Sequence, residues 1–391
     1  MASLASLVHT VGGCIHQKNG PQLRSLLRLD DSPTQEAVFQ SWHANPRWNP
    51  AAAASRLPED WSDFLAHHWA CIMELQKGQR EKAYDQIVAT LQPFIKIFRE
   101  DPDDWLVGPM HAVVHNLRGV AEAADEELQA AGKPASKLGD CGDQLRKCFS
   151  VALQAPGNRG KKLAALDIVN VSIKTYFKLN TLRLCKNLTR TVDSRQFAPF
   201  ESFPKSQKVT YKFYLGRLAI FDENYQEARE SLEYALRHCP RSAATSKALI
   251  LKYLVPVQLL AGTLPSRQLV QQYHLDQYLP LMEAMKRGDL ALFDATMEKQ
   301  QFQFIQEEPS KAAQIPLSWV QAALKSQLQS NPTPGAFDQE LEWEMDEVEC
   351  VCANLIHRKY VRGYISHKNK VMVVAKSDPF PPLSSISPVD T

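Results

Sequence analysis

Residues 211–240 read YKFYLGRLAIFDENYQEARESLEYALRHCP. Leu215 and Gly216 are followed by Tyr225, Ala228, Leu232, Ala235 and Pro240. Apolar and small residues that return every three or four positions mark one face of a helix. Small residues at facing positions let two helices cross closely, and a proline stops the second. The stretch therefore predicts a tight helical hairpin.

The same spacing fits the tetratricopeptide pattern, with its early aromatic displaced to Tyr211 or Tyr214. Weaker pairs lie around it. From Trp61 to Phe98 the apolar positions Phe64, Trp69, Ile72, Leu75, Ala83, Ile87, Leu91 and Phe94 predict a hairpin broken at Lys77-Gly78-Gln79. Further pairs are expected at 104–130 with 140–154, at 161–180 with 181–192, and at 244–261 with 266–305. Residues 1–29 read as two short helices joined at Gly20-Pro21, and 31–60, rich in proline, as an irregular connection. One good repeat among degenerate ones predicts a divergent helical solenoid. The most apolar run, 248–261, holds Lys252, Pro256 and Gln258. It is too short to cross a membrane and reads as a buried helix kinked or broken at Pro256. The N-terminus lacks the basic segment of a signal peptide.

Past residue 305 the pattern changes. Residues 327–337 read as a loop, and Asp338 to Glu349 holds seven acids in twelve residues. A helix is expected at about 345–358. In 361–380, VRGYISHKNKVMVVAKSDPF, the residues Val361, Tyr364, Ile365, Val371, Val373 and Val374 flank a turn at His367–Lys370 and predict a β-hairpin. A shorter helix (316–326), then a helix, then a hairpin is the order of a winged helix. The expected fold class is all-α: a tetratricopeptide-like solenoid over 1–305, then a winged-helix module with one β-hairpin over 306–391.

Composition agrees. Hydrophobic residues make up 44% and charged residues 23% of the 391, so a packed core is expected. Glycine is scarce, at 16 residues, which disfavours sandwiches and glycine-rich nucleotide folds. Eight cysteines are too sparse for a disulfide scaffold and read as buried free thiols.

Signals of catalysis are weak. Neither a nucleophile elbow nor a Walker A loop is present. Gly157–Lys162 lacks the spacing, the hydroxyl residue and the preceding strand of a phosphate loop. His111 and His115 could share a helix face as metal ligands, but Ala-Val-Val lies between them, without the glutamate of a zinc hydrolase. Cys350 and Cys352 would point to different faces of one helix. The chain reads as non-enzymatic, without a cofactor or metal.

Charge is the stronger signal. The whole chain is +2, yet Arg159 to Arg217 carries thirteen Lys/Arg and three acids. Tyr176, Phe177, Tyr211, Phe213 and Tyr214 interleave with them. Cys350 to Ser377 has six Lys/Arg and no acid. Such faces can follow a phosphate backbone, RNA or DNA. The candidate contacts are Lys174, Lys178, Arg183 and Lys186 in the first region, and Arg358, Lys359, Arg362, Lys368 and Lys370 in the second.

KTYFKLNTLRLCKNL (174–188), YKFYLGRLAIFDENYQEA (211–228), LRHCPRS (236–242), LKYLVPVQLLAGTLPS (251–266) and CANLIHRKYVRGYISHKNKVMVVAKSDPFPPLS (352–384) resemble the PCI-domain family. The nearer likeness is to the branch of PCI-domain-containing protein 2 and the fungal signalosome-subunit-twelve homologues, the Thp-type export factors. The resemblance implies a nuclear mRNA-export complex at the pore, with some cytoplasmic presence. It implies a Sac-type export scaffold and a small acidic Sem-type protein as partners. The alternative it implies is a subunit or associate of the COP-nine signalosome, or of another PCI assembly without nucleic-acid binding. At 306–311 this chain has QEEPSK where the family continues with long apolar helices, so the winged-helix half is expected to be shortened near 306–315.

Overall fold

A computed structural model describes residues 4–30, 33–45, 48–154, 160–194, 197–306, 314–317, 320–321, 345–367 and 370–375. They form two compact units, Met1–Leu275 and Asp276–Thr391. The compositional boundary at 305/306 falls inside the second unit.

The first unit is helical throughout. It begins with α1 (Leu4–His16), α2 (Gly20–Leu27), α3 (Pro33–Ala44), α4 (Pro50–Ala54), α5 (Glu59–Gln76), α6 (Arg80–Ala89) and α7 (Leu91–Glu100). It continues with α8 (Val107–Ala130), α9 (Lys137–Leu153), α10 (Ala165–Lys178), α11 (Leu182–Val192), α12 (Lys205–Phe221), α13 (Tyr225–His238), α14 (Ala244–Leu260) and α15 (Arg267–Gln272). From α9 to α14 each helix packs mainly on its sequence neighbours, the arrangement of a solenoid, while α8 packs most on α6 and α2. In addition α10 touches α8 and α12, and α12 touches α14. Alternate helices thus form one continuous row.

The expected tight crossing is present. Ala228 and Ala235 are fully buried between α12 and α13. A β-carbon on Gly216 would stand 2.6 Å from the Leu232 side chain and 3.2 Å from the Ala228 carbonyl oxygen. A larger residue there would force the Leu232 side chain or a helix to shift.

Several expectations need correction. The stretch 31–60 is not irregular, because it holds α3 and α4. Pro33 and Pro50 open those helices, where a missing N–H costs nothing. Gly20 and Pro21 likewise stand in the first turn of α2, capped by Asn19. Pro256 does not end α14, which runs through it. By contrast, the helix expected after Gly78 divides at Thr90 into α6 and α7. Pro93 cannot donate to the carbonyl four residues back, which removes a bond at that junction.

One closure links distant sequence. α2 packs on α8, and Asn116 Nδ2 donates to the Leu27 carbonyl at 2.6 Å while its Oδ1 accepts from Leu29 N. Trp61 of α5 meets Phe64 and Phe94 edge-on and stacks on Trp105, and Phe64 packs tilted on Phe94.

The second unit holds α16 (Leu279–Arg287), α17 (Leu290–Gln306), β1 (Gln314–Pro316), α18 (Met345–His357), β2 (Gly363–Ser366) and β3 (Val371–Val374). Leu317, Val320 and Gln321 are helical, and the rest of the expected 316–326 helix lies outside the described residues. The expected hairpin is β2–β3, with Ile365 opposite Met372. A third strand, β1, pairs antiparallel with β3, giving the order β1-β3-β2. Three residues are too few to show alternation, so the sequence did not reveal β1. Leu317, Val348, Cys352, Val361, Met372 and Val374 form a closed core beneath this sheet. Gly363 belongs to the sheet's closest approach, since a β-carbon there would meet the Val373 carbonyl oxygen at 2.1 Å.

Candidate nucleic-acid interface

The basic stretch of the first unit is carried by α10, α11 and α12. Lys174 and Lys178 lie one turn apart on α10, and both are exposed. Facing them from α8 is Arg118, a buried side chain whose Nη1 and Nη2 donate to Glu122 at 2.8 and 3.3 Å. Lys178 pairs with the same Glu122. One carboxylate thus serves two cations, with Lys174 beside them. Burial would raise the Glu122 carboxyl, but Lys178 and Arg118 hold it below the usual carboxylate range. Burial, together with Arg118 and Lys178, lowers the Lys174 ammonium, and Glu122 offsets this only in part.

Arg183 and Lys186 are exposed on α11. Lys186 donates to Asp222 at 2.6 Å. The hydrophobic side of α11 is buried through Cys185, so its cations are left on the outer side.

In the second unit α18 ends with Lys359 in a left-handed conformation, φ 61°. Arg358, Lys359 and Arg362 are exposed around that turn, and Tyr364 is exposed on the outer face of β2. Lys370 turns the other way. Its Nζ donates to Glu349 at 2.7 Å and lies 3.5 Å from Asp346, both at the start of α18. His367 Nδ1 lies 2.6 Å from Glu349. These two bonds hold the Glu349 carboxyl below its ordinary range, Lys370 contributing most. The hairpin is thus tied to its own helix, and Lys370 is engaged inside the module. Lys368 lies outside the described residues. The four solenoid candidates and the wing candidates belong to separate units, each described by itself.

Sequence reading missed Arg118 and Glu122 as parts of the site. They lie outside the basic stretch, and only the packing of α8 against α10 brings them to it. The histidines weighed as metal ligands meet Asp167 instead: His115 Nε2 lies 3.1 Å and His111 Nδ1 3.9 Å from its carboxylate. Burial pushes the His111 imidazole down to about 4. All eight cysteines are free thiols, seven of them buried; Cys350 is exposed while Cys352 is in the core.

Residues 138–281 match the family of PSMD3-like N-terminal TPR repeats, and residues 311–376 match the PCI domain. The chain is 35% identical to PCI domain-containing protein 2 of Danio rerio over 369 residues, covering 88% of this chain and 91% of that protein. This chain belongs to the PCI domain-containing protein 2 family. Other members span plants and fungi. Enhanced ethylene response protein 5 of Arabidopsis thaliana is 31% identical over 353 residues, 83% of this chain and 82% of that protein. Protein CSN12 homolog of Neurospora crassa is 30% identical over 452 aligned positions, 96% of this chain and 99% of that protein. That alignment is longer than the 391-residue chain, so the Neurospora protein carries segments that this PCI chain lacks. The PCI match begins at residue 311 and ends at 376, taking in all three strands and α18.

Proposed function

We propose that this chain is a non-enzymatic PCI scaffold of a nuclear mRNA-export complex of the TREX-two type, presenting a basic surface to RNA or DNA. The observation that carries this reading is the cation surplus of residues 159–217, the stretch that includes α10, α11 and most of α12. Thirteen Lys/Arg stand against three acids between residues 159 and 217, and Lys174, Lys178, Arg183 and Lys186 are all exposed there. Polyanions bind such surfaces by releasing counterions, without needing a catalytic group. A solenoid that stacks repeats offers a long surface for protein partners as well. The partners in this reading are a Sac-type export scaffold and a small acidic Sem-type protein. The place of action is the nucleus and its pores, with some cytoplasmic protein. A second reading, membership of the COP-nine signalosome or an allied PCI assembly, is favoured by the name of the Neurospora relative. Affinity purification of the tagged chain with mass spectrometry separates the two. Recovery of a Sac-type scaffold with polyadenylated RNA supports export, whereas recovery of signalosome subunits without nucleic acid favours the second reading.

A further inference from the structure

On α12, Arg217 is held in a sandwich of aromatic rings. Its guanidinium carbon lies 4.4 Å from the centroid of Phe177 on α10 and 4.5 Å from that of Tyr253 on α14, with Phe213 at 5.7 Å. Its Nε is buried and makes no hydrogen bond. No carboxylate among the described residues pairs with it. A guanidinium covered on its faces can recognise a ligand only along its planar edge, through the Nη groups. Those groups suit two oxygens of an anion, and the rings already fix their direction.

This arginine borders the Arg118–Glu122–Lys178 cluster. Phe177 immediately precedes Lys178 and packs on Tyr214, which also feels the charges of Arg118, Arg217 and Glu122. Cations on α8, α10 and α12 therefore follow the row of alternate helices, and Glu122 pairs with Arg118 and Lys178 but not with Arg217.

We infer that Arg217, with Lys174 and Lys178, forms a preorganised phosphodiester seat for single-stranded RNA on the α10–α12–α14 part of the row. The inference rests on the nucleic-acid reading above and places its main contact in the solenoid rather than on the wing. A nucleic-acid backbone carries one charge per nucleotide, so it can meet a row of cations in any register. An acidic peptide can do so only where its acids are consecutive. On the wing, Glu349 holds Lys370 and His367, as Glu122 holds Lys178 in the solenoid.

The test is anisotropy of a fluorescein-labelled oligouridylate with the full chain, between about 50 and 200 mM salt. Arg217→Lys keeps the charge but loses the fork, and should weaken binding about tenfold. Lys174→Gln/Lys178→Gln alters exposed positions only, and should flatten the slope of log affinity against log salt by about 1.4. Thermal melts verify that both variants are folded, and should Arg217→Lys unfold, the lysine pair decides. Parental binding in both variants overturns the inference and leaves the nucleic-acid reading to the wing. An unmodified chain that does not bind the RNA overturns both. Displacement of the RNA by polyglutamate at equal charge concentration also overturns the inference, in favour of an acidic protein ligand.

Discussion

Ala228 shows how much one methyl group decides in this chain. It is fully buried where α12 and α13 cross, and the Gly216 backbone lies opposite. Replacing Ala228 by leucine adds three carbons to a closed contact. Overpacking of this kind costs about 1–3 kcal/mol. Ala228→Leu should therefore lower the urea midpoint with an unchanged m-value, and an unchanged midpoint would remove support for the crossing. A second residue-scale prediction concerns His68. It is fully buried against Phe64, its Nε2 makes no hydrogen bond, and burial pushes its imidazole down to about 4. Above pH 6.5 both folded and unfolded chains keep it neutral. Below that, the unfolded chain protonates first, so stability falls between about pH 6.5 and 4. The loss approaches roughly 3 kcal/mol for a group shifted this far. Urea titrations at several pH values in that window should show a shallower fall for His68→Leu than for the parent. Identical pH dependence would contradict this account.

At the scale of the element, the hairpin is the informative piece. β2 and β3 were legible because their apolar residues flank a polar turn. Their faces were not legible, since VMVV does not alternate; the structure puts Met372 and Val374 inside and Tyr364 outside. What the wing's charges do was not legible. Read along the chain, 350–377 is purely basic, but folding returns Lys370 and His367 to Glu349 in the acidic stretch before it. Glu349→Gln should release both. The pairs lie at the surface, where such contacts add little, so stability should hardly change. If the freed lysine then meets phosphate, RNA affinity should rise and the salt slope should steepen by about 0.7. A variant with unaltered RNA binding would show that Lys370 makes no phosphate contact. The triple variant Arg362→Ala/Lys368→Ala/Lys370→Ala tests the same element in the opposite direction, by flattening of the slope.

The whole molecule is two compact units, the first a solenoid with its N-terminus folded back. A pure solenoid loses stability repeat by repeat, because each repeat contacts only its neighbours. The α2–α8 contact works against that by joining residues 20–27 to residues 107–130. Asn116 is the polar latch of this closure. Asn116→Ala would leave the buried Leu27 carbonyl without that donor, at a cost of about 1–3 kcal/mol. Hydrogen exchange should then speed up in α2 well before α12 and α13. Uniform acceleration across the first unit would instead mark it as a single cooperative block.

Taken by itself, the sequence determined the helical character of the first unit, the hairpins α8–α9, α10–α11 and α12–α13, the close crossing at Gly216 and Ala228, the β2–β3 hairpin and the basic bias of 159–217. These are local properties. A helix closes its bonds four residues away, a hairpin pairs neighbouring strands, and charge can be counted along the chain. Tertiary structure alone decided which faces met. It set β1 beside β3, folded α2 onto α8, and gave Arg118 and Lys178 a common carboxylate. It also placed Arg217 between rings from two other helices. Each of these joins residues far apart in sequence, and the choice among possible partners was made by the fit of buried surfaces and the satisfaction of buried polar groups.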